Sequence, residues 1–406
     1  MRLTPTLSGL LSCLLIGGMA GAFAADTAPK QTIAEQATAL METLEARKLP
    51  QPKSFGDSEL DLFYAMMDGL TPIDVAFCER IKLVELTDGL LPLADQPIPG
   101  LDDGLNQTKT SMIASRLFVL RGHLLCGQGK IAEGRAWLLK PRLMARRSGS
   151  DHSLLQLLTA IAMDGIGQQS AARYTESWAE SERLAYVKSA ESLLPLGALH
   201  TAMLLDGDAM PEKNRMRTLI VEFKSLTSAQ QRDRLEKLLA PAFPGPELRK
   251  ELDDFVNLHL DIITNLTPET YDALVKGISS ELDPLTPEKI KAFTLRNDEA
   301  IKQVRAEANR PTDPTYPAAI SPQKAATLYR ALTTPGIESI ARGTLDVELR
   351  AKLLIVAMRK GEAFDAMDLA NVTTADGKAL RLGADEGRKA ILTADGQPFL
   401  TIGRVK

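Results

Sequence analysis

Apolar residues recur every three to four positions along most of the chain, which is the period of one face of an α-helix. One such stripe is Ile33, Ala37, Leu40 and Leu44, and another is Met112, Leu117, Leu120 and Leu124. The same period predicts helices at 58–67, 131–139, 152–174, 196–205, 210–226, 247–265, 269–280, 288–309 and 347–359. Short connections that contain Gly and Pro favour antiparallel pairing of successive helices.

Several helix starts are marked by a Ser or Thr directly before a proline. The hydroxyl caps free N–H groups of the first turn, and proline suits the first helical position. The pairs are Thr71-Pro72, Thr267-Pro268, Thr286-Pro287, Ser321-Pro322 and Thr334-Pro335.

The pattern changes near the C-terminus, where short apolar runs occupy 379–382, 390–393 and 399–402. Asp-Gly dipeptides at 376–377 and 395–396 lie beside them and are typical of hairpin turns. The segment is therefore predicted to form a small antiparallel β-meander. Three short strands need a partner to bury one face, and the helix at 347–359 is the expected one.

The predicted fold is all-α: an irregular antiparallel array of helical hairpins, similar to an α-solenoid, with a small C-terminal β-meander. Aromatic residues make up only 5% of the chain, against 44% hydrophobic residues in all, which favours helix packing over a β-sandwich. The predicted segments are a signal peptide at 1–24, an N-terminal helical region at 25–105, a central helical domain at 106–309, a Pro-rich connector at 310–320, and C-terminal helices with the meander at 321–406.

The first residues have the pattern of an export signal. Arg2 precedes an apolar run over 7–19, and Ala22-Phe23-Ala24 supplies the small residues of a cleavage site. Lipid attachment at Cys13 is the alternative, but the apolar run continues beyond that cysteine. The run is also shorter than the ~20 residues needed to span a bilayer. We expect a periplasmic or secreted protein whose mature chain has no transmembrane segment.

Charge and cysteines limit the partners and the chemistry. The formal net charge is −4, which disfavours nucleic acid as a partner. Cys78 and Cys126 could form a disulfide, which would stabilise the fold by about 4 kcal/mol in the chain-entropy model. Alternatively both are buried free thiols. The sequence leaves both alternatives open.

Motifs with a known chemistry are incomplete. The segment 165–170 has the glycine spacing of a dinucleotide fingerprint with a serine at the third glycine position, but it follows a long Leu- and Ala-rich run without a βαβ pattern. The segment 127–130 lacks the first glycine and the hydroxyl residue of a phosphate loop. Ser321 and Lys324 have the Ser-x-x-Lys spacing without its companion motifs, and Ser321 is predicted to be a helix cap.

Metal ligands are also scarce in the sequence. His123 and Cys126 lie three residues apart, and Cys78 is the third residue considered, but no zinc motif has this spacing. The sequence therefore predicts no cofactor and no metal, and it leaves the catalytic residues unknown.

The segment 111–140 resembles a tetratricopeptide helical hairpin, with small residues in its first helix, a Gly-Lys turn, and a second helix that opens on Ala132-Glu133-Gly134. The run 154–165 is similar to a helix of uncharacterised exported bacterial α-helical proteins. We expect Leu154, Leu157, Leu158 and Ile161 of that run to form the centre of the core.

The density of predicted helices, the tetratricopeptide-like hairpin and the lack of a complete motif together favour a non-catalytic helical scaffold of the bacterial cell envelope that binds a protein or peptide partner. The basic residues Arg142, Arg146 and Arg147 are expected at the edge of the partner groove. The alternative is an exported hydrolase that acts on an envelope polymer through carboxylates which the sequence does not single out.

Overall fold

The computed structural model describes residues 39, 59–68, 71–95, 101–148, 154–193, 195–196, 211–239, 248–296, 320–385 and 387–403. Helices make up 75% of these residues, and the one sheet has three strands. The prediction of a mostly helical chain with a C-terminal meander is confirmed. The predicted signal peptide and most of the predicted connector lie outside the described residues. Within the described part, no helix has the length and apolar character needed to cross a membrane.

The elements follow one another in this order. The helices are α1 Glu59–Asp68, α2 Val75–Arg80, α3 Leu83–Asp95, α4 Leu101–Gly127, α5 Ile131–Ser148, α6 Leu154–Ala172, α7 Glu180–Glu191, α8 Pro211–Ser225, α9 Ser228–Leu239, α10 Arg249–Asn265, α11 Pro268–Leu282 and α12 Pro322–Lys360. Residues 287–296 are also helical. The short 3₁₀ helices Gly361–Ala363 and Ala366–Leu369 precede strands β1 Leu380–Asp385, β2 Arg388–Thr393 and β3 Pro398–Ile402.

The chain forms two compact units. The sheet-containing unit holds α1–α5, most of α6, α7, and residues 344–403 with the second part of α12. The α8–α11 unit holds those helices and α12 up to Gly343. Residues of the predicted central domain 106–309 are therefore divided between the two units, and the predicted segment 321–406 divides after Gly343.

The predicted helix caps form at three of the five Ser/Thr-Pro positions. The hydroxyls of Thr267, Thr286 and Ser321 accept backbone N–H groups three residues later at 3.2, 3.3 and 3.2 Å. After Thr71 the helix begins later, because Asp74 is the residue that caps α2. The start predicted at Thr334 is wrong, since α12 continues through this position without a break.

The α4–α5 hairpin packs closely because two glycines lie where the helices meet. A Cβ atom added to Gly134 would lie 2.4 Å from Cys126 Sγ and 2.8 Å from the carbonyl oxygen of Gly122. A Cβ on Gly122 would lie 2.8 Å from the Leu138 side chain. Any larger residue here would force the two helices apart.

We therefore expect Gly134→Ala to lower the free energy of unfolding by about 1–3 kcal/mol, as overpacking of a tight contact does. Gly127→Ala is the matched control, because a Cβ there meets nothing within 4 Å and alanine favours a helix. Urea unfolding of both variants checks this. Equal stability of the two would show that the hairpin tolerates a wider spacing.

The core position predicted at Leu158 is corrected. Leu157 is 1% exposed, whereas Leu158 is only half-buried. The buried positions of α6 are 157, 159, 160, 163, 164, 167, 168, 170, 171 and 172. Leu158 lies about 100° around the helix from Leu157, on the side that these positions leave out. Ile161 is partly buried, and the side chain of Leu154 is outside the described residues.

Leu157→Ala should therefore lower the free energy of unfolding by about 2 kcal/mol, near the low end for buried leucines because the first turn of α6 can relax. Leu158→Ala should have a clearly smaller effect. Thermal unfolding of the two variants side by side measures the difference. A larger loss of stability for Leu158→Ala than for Leu157→Ala would show that the buried side of α6 is assigned incorrectly.

The sheet is an antiparallel meander in the order β1-β2-β3. Its inner face contributes Leu380, Ile391, Leu400 and Ile402 to one hydrophobic cluster. The same cluster contains Leu353, Leu354, Ala357 and Met358 of α12. The helix expected at 347–359 is therefore the one that packs against the meander.

Candidate functional site

The most concentrated polar chemistry of the described residues surrounds Asp164 on α6. Arg142 Nε donates to Asp164 Oδ1 at 2.8 Å, and an Arg146 guanidinium nitrogen lies 2.7 Å from the same oxygen. Gln168 Nε2 donates to Asp164 Oδ2 at 2.6 Å. Both carboxylate oxygens are therefore occupied by donors.

Two further contacts extend this group. Arg142 Nη1 donates to the Tyr186 hydroxyl at 3.3 Å, and Gln168 Nε2 also donates to the carbonyl oxygen of Val347 at 2.9 Å. We call Arg142, Arg146, Asp164, Gln168 and Tyr186 the Asp164 cluster. It joins α5, α6, α7 and the second part of α12.

The Asp164 cluster is closed to solvent. The side chains of Arg142 and Asp164 are 2% and 0% exposed, and that of Arg146 is 11% exposed. Gln168 and Tyr186 are also fully buried. Among the described residues, Asp164 is the only buried acidic residue. The cluster therefore has the environment of a structural ion pair in the core.

Burial and neighbouring charges shift the pKa values of Arg142, Arg146 and Tyr186. Burial alone would lower the pKa of Arg142, but Tyr186 and Asp164 raise that pKa above its ordinary value. Burial lowers the pKa of Arg146, and Asp164 opposes this shift. Burial also raises the pKa of Tyr186, which keeps its phenol neutral. Guanidinium groups stay protonated in proteins, so neither arginine can exchange a proton with a substrate.

The local sequence around Gly167 explains how a large arginine fits against α6. A Cβ atom at Gly167 would lie 2.6 Å from Arg142 Cγ. The glycine spacing at 165–170 therefore belongs to the interior of α6, as its flanking sequence predicted, and it makes room for Arg142. The signal that sequence reasoning missed is the pair Asp164 and Gln168, four residues apart on the buried side of the helix.

The three arginines expected at the edge of a partner groove differ in their environments in the structure. They are Arg142, Arg146 and Arg147. Arg142 is in the core, and Arg146 faces Asp164, so the expectation that these two line a partner groove is corrected. The physical reason is the buried carboxylate, which needs cationic partners. Arg147 is exposed, and its guanidinium donates to the carbonyl oxygen of Ala94 in α3.

Cys78 and Cys126 are buried free thiols, so the structure agrees with the second alternative and contains no disulfide between them. Cys78 and Cys126 belong to different hydrophobic clusters. Burial raises the pKa of Cys78 to about 11, which keeps it a thiol. Both residues act here as small apolar side chains.

His123 is part of an aromatic row. Its Nδ1 lies 2.7 Å from the Tyr174 hydroxyl, and Tyr174 stacks on Trp178 with ring centroids 4.7 Å apart. Trp178 in turn lies 6.1 Å from the ring of Tyr186, so the row ends at the Asp164 cluster. Across the described residues, no three His, Cys, Asp or Glu side chains are placed to hold a metal ion.

No protein-family model, curated protein or solved structure matches this chain. Its function must therefore be argued from the arrangement of its own residues.

Proposed function

We propose that this protein is an exported, non-catalytic helical scaffold of the bacterial cell envelope that binds a protein or peptide partner. The observation that carries the proposal is the Asp164 cluster. Five polar side chains bind one another there and join four elements. Such a network rigidifies a helical array and presents its outer surface in a fixed shape.

The burial of Asp164 also favours a structural role. A catalytic carboxylate must reach its substrate and change its protonation or bonding partner during the reaction. Asp164 is completely buried, and its oxygens accept from Arg142 and Gln168. A role in helix packing uses these contacts as they are, whereas a catalytic role would require them to be broken.

The partner surface that we propose is the outer side of the α4–α5 hairpin, the unit that resembles a tetratricopeptide repeat. Ala132, Glu133, Ala136 and Arg147 are exposed on α5. The opposite side of α5 packs on α4 through Gly134 and Leu138. Partner binding on the outer side would leave the Asp164 cluster undisturbed.

Site-specific photo-crosslinking in the producing bacterium tests this proposal. A photoreactive residue at Ala136 or at Arg147 should give one defined crosslinked species, because both positions lie on the proposed surface. The matched control is Lys276, which is exposed on α11 and should give none. Absence of any α5 crosslink, together with turnover of an envelope glycan or peptide by the purified protein, would support the alternative of an exported hydrolase.

A further inference from the structure

Arg350 on α12 is half-buried, and its guanidinium has no acceptor among the described residues. Its Nε is closed to solvent and has no hydrogen-bond partner there. Its terminal nitrogens, Nη1 and Nη2, also form no hydrogen bond or ion pair with a described residue. A polar group that leaves water without gaining a partner costs free energy, and a charged group costs more. The Arg350 guanidinium therefore lacks the acceptor that its burial requires.

Other buried or half-buried arginines of the sheet-containing unit do have such acceptors. The following each donate to a carbonyl oxygen or lie within ion-pair distance of a carboxylate: Arg142, Arg146, Arg173, Arg183 and Arg388. The lack of an acceptor at Arg350 is thus not a general property of the arginines in this unit. It distinguishes one position of α12.

The contacts of Arg350 leave the outer edge of its guanidinium available. Its Cζ lies 4.8 Å from the centre of the Phe399 ring, so one flat face of the guanidinium rests on β3. Burial lowers the pKa of Arg350, and the charge of Asp346, one turn earlier on α12, opposes this shift. Asp346 Oδ1 accepts instead from the backbone N–H of Ala375 at 2.8 Å. Neither contact supplies an acceptor for Nη1 and Nη2.

Gly165 leaves open space beside this guanidinium. A Cβ atom at Gly165 would meet one atom within 4 Å, the Arg350 Nη1 at 4.0 Å. Gly167 differs, because a Cβ there would lie 2.6 Å from the Arg142 side chain. The second glycine of the segment 165–170 is therefore needed for packing, whereas the first opens a space next to Nη1.

We propose that Arg350 binds the carboxylate of an apolar ligand through Nη1 and Nη2, in the open space beside Gly165. The edge of a guanidinium matches a carboxylate because two parallel N–H···O bonds form together. The charge of Asp346 disfavours a phosphate dianion more than a carboxylate. Ala162 and Ile166, which are half-buried on the same side of α6 as Gly165, supply apolar surface for the rest of the ligand. The site does not include the α5 surface proposed for the protein partner.

Titration of the purified protein with two carboxylates, followed by the NMR signal of the Gly165 amide, tests the proposal. N-acetyl-leucine represents the C-terminus of a peptide, and hexanoate represents a short fatty acid. At least one should bind with a Kd of about 1 mM or below, and the tighter of the two identifies the source of the carboxylate. N-acetyl-leucinamide, which has no carboxylate, should bind about tenfold more weakly or not at all. Absence of binding by both carboxylates, or tighter binding of inorganic phosphate, would overturn the proposal.

Substitutions assign the binding to Arg350 and to the space beside Gly165. Arg350→Gln should weaken binding of the carboxylate by about tenfold or more, and Arg350→Lys should also weaken it, because lysine keeps the charge but not the planar edge. Gly165→Leu fills the space without changing any charge and should weaken binding as well. Lys352→Gln is the matched control, since it removes an exposed charge from the same helix and should leave the affinity unchanged. Equal affinities of Arg350→Gln and wild type would refute the site.

The melting temperature distinguishes a binding role of Arg350 from a structural one. Without a ligand, Arg350→Met should melt at or above the temperature of wild type, because it removes a charge that has no acceptor. Arg183→Met should melt at a lower temperature, since Arg183 donates to the carbonyl oxygens of Met358 and Trp178. If Arg350→Met lowered the melting temperature as much as Arg183→Met, Arg350 would support the fold and the proposal would be wrong.

Discussion

Asp164→Ala is expected to lower the free energy of unfolding of the sheet-containing unit by about 3–5 kcal/mol, because removing one partner of a buried ion pair leaves the other charge uncompensated. Arg142 would keep a full charge in the core, and among the described residues the Tyr186 hydroxyl would be its remaining side-chain acceptor. Urea unfolding followed by tryptophan fluorescence measures the change, since Trp137 and Trp178 both lie in this unit.

Asp88→Ala is the matched control for this measurement. Asp88 also binds an arginine, Arg121, but its side chain is 53% exposed. Exposed pairs contribute about 0–1 kcal/mol. If Asp164→Ala were no more destabilising than Asp88→Ala, the Asp164 cluster would not hold the helices together.

The α8–α11 unit is expected to lose about 3 kcal/mol of stability when the pH falls from about 7 to about 4, through His259 alone. Burial lowers the pKa of His259 from 6.5 to about 4, and its Nδ1 bonds to the carbonyl oxygen of Phe255 at 2.8 Å. Between these two pH values the unfolded chain binds a proton at His259 and the folded chain does not. Stability from the neutral ring is therefore complete above pH 6.5 and is lost as the pH approaches 4.

Amide hydrogen exchange of α8, α9 and α10 measures this loss within the unit. His259→Phe retains an aromatic ring beside Phe255 and removes the titrating group, so its protection should change much less over the same pH range. The difference between the pH dependences of wild type and His259→Phe gives the contribution of His259, because the carboxylates that titrate in the same pH range are present in both proteins. Identical pH profiles would show that His259 is not the group responsible.

Local patterns predicted the helices and the meander because both depend on neighbouring residues. The caps at Thr267, Thr286 and Ser321 need only a hydroxyl and the next turn of chain. The start predicted at Thr334 failed because α12 continues through that position, so the local signal did not decide the structure there.

The Asp164 cluster could not be predicted in the same way. Arg142 and Asp164 are separated by 22 residues, Arg142 and Tyr186 by 44, and Gln168 and Val347 by 179. One local signal was present, because Leu138, Arg142 and Ala145 share the buried side of α5. That side also distinguishes Arg142 from the exposed Arg147. The partner of Arg142 is Asp164 on α6, and this pairing depends on how α5 packs against α6, which the local sequence does not specify.

The most direct test of the central claim, that the Asp164 cluster is structural and not catalytic, replaces it with apolar residues. The variant carries Arg142→Met, Arg146→Met, Asp164→Leu and Tyr186→Phe, since buried ion pairs can be exchanged for apolar groups of similar volume without loss of stability. We predict that it folds with a melting temperature near that of wild type and gives the same crosslinks from α5. A variant that folds but loses those crosslinks, or loses an activity that the wild type has, would contradict the account.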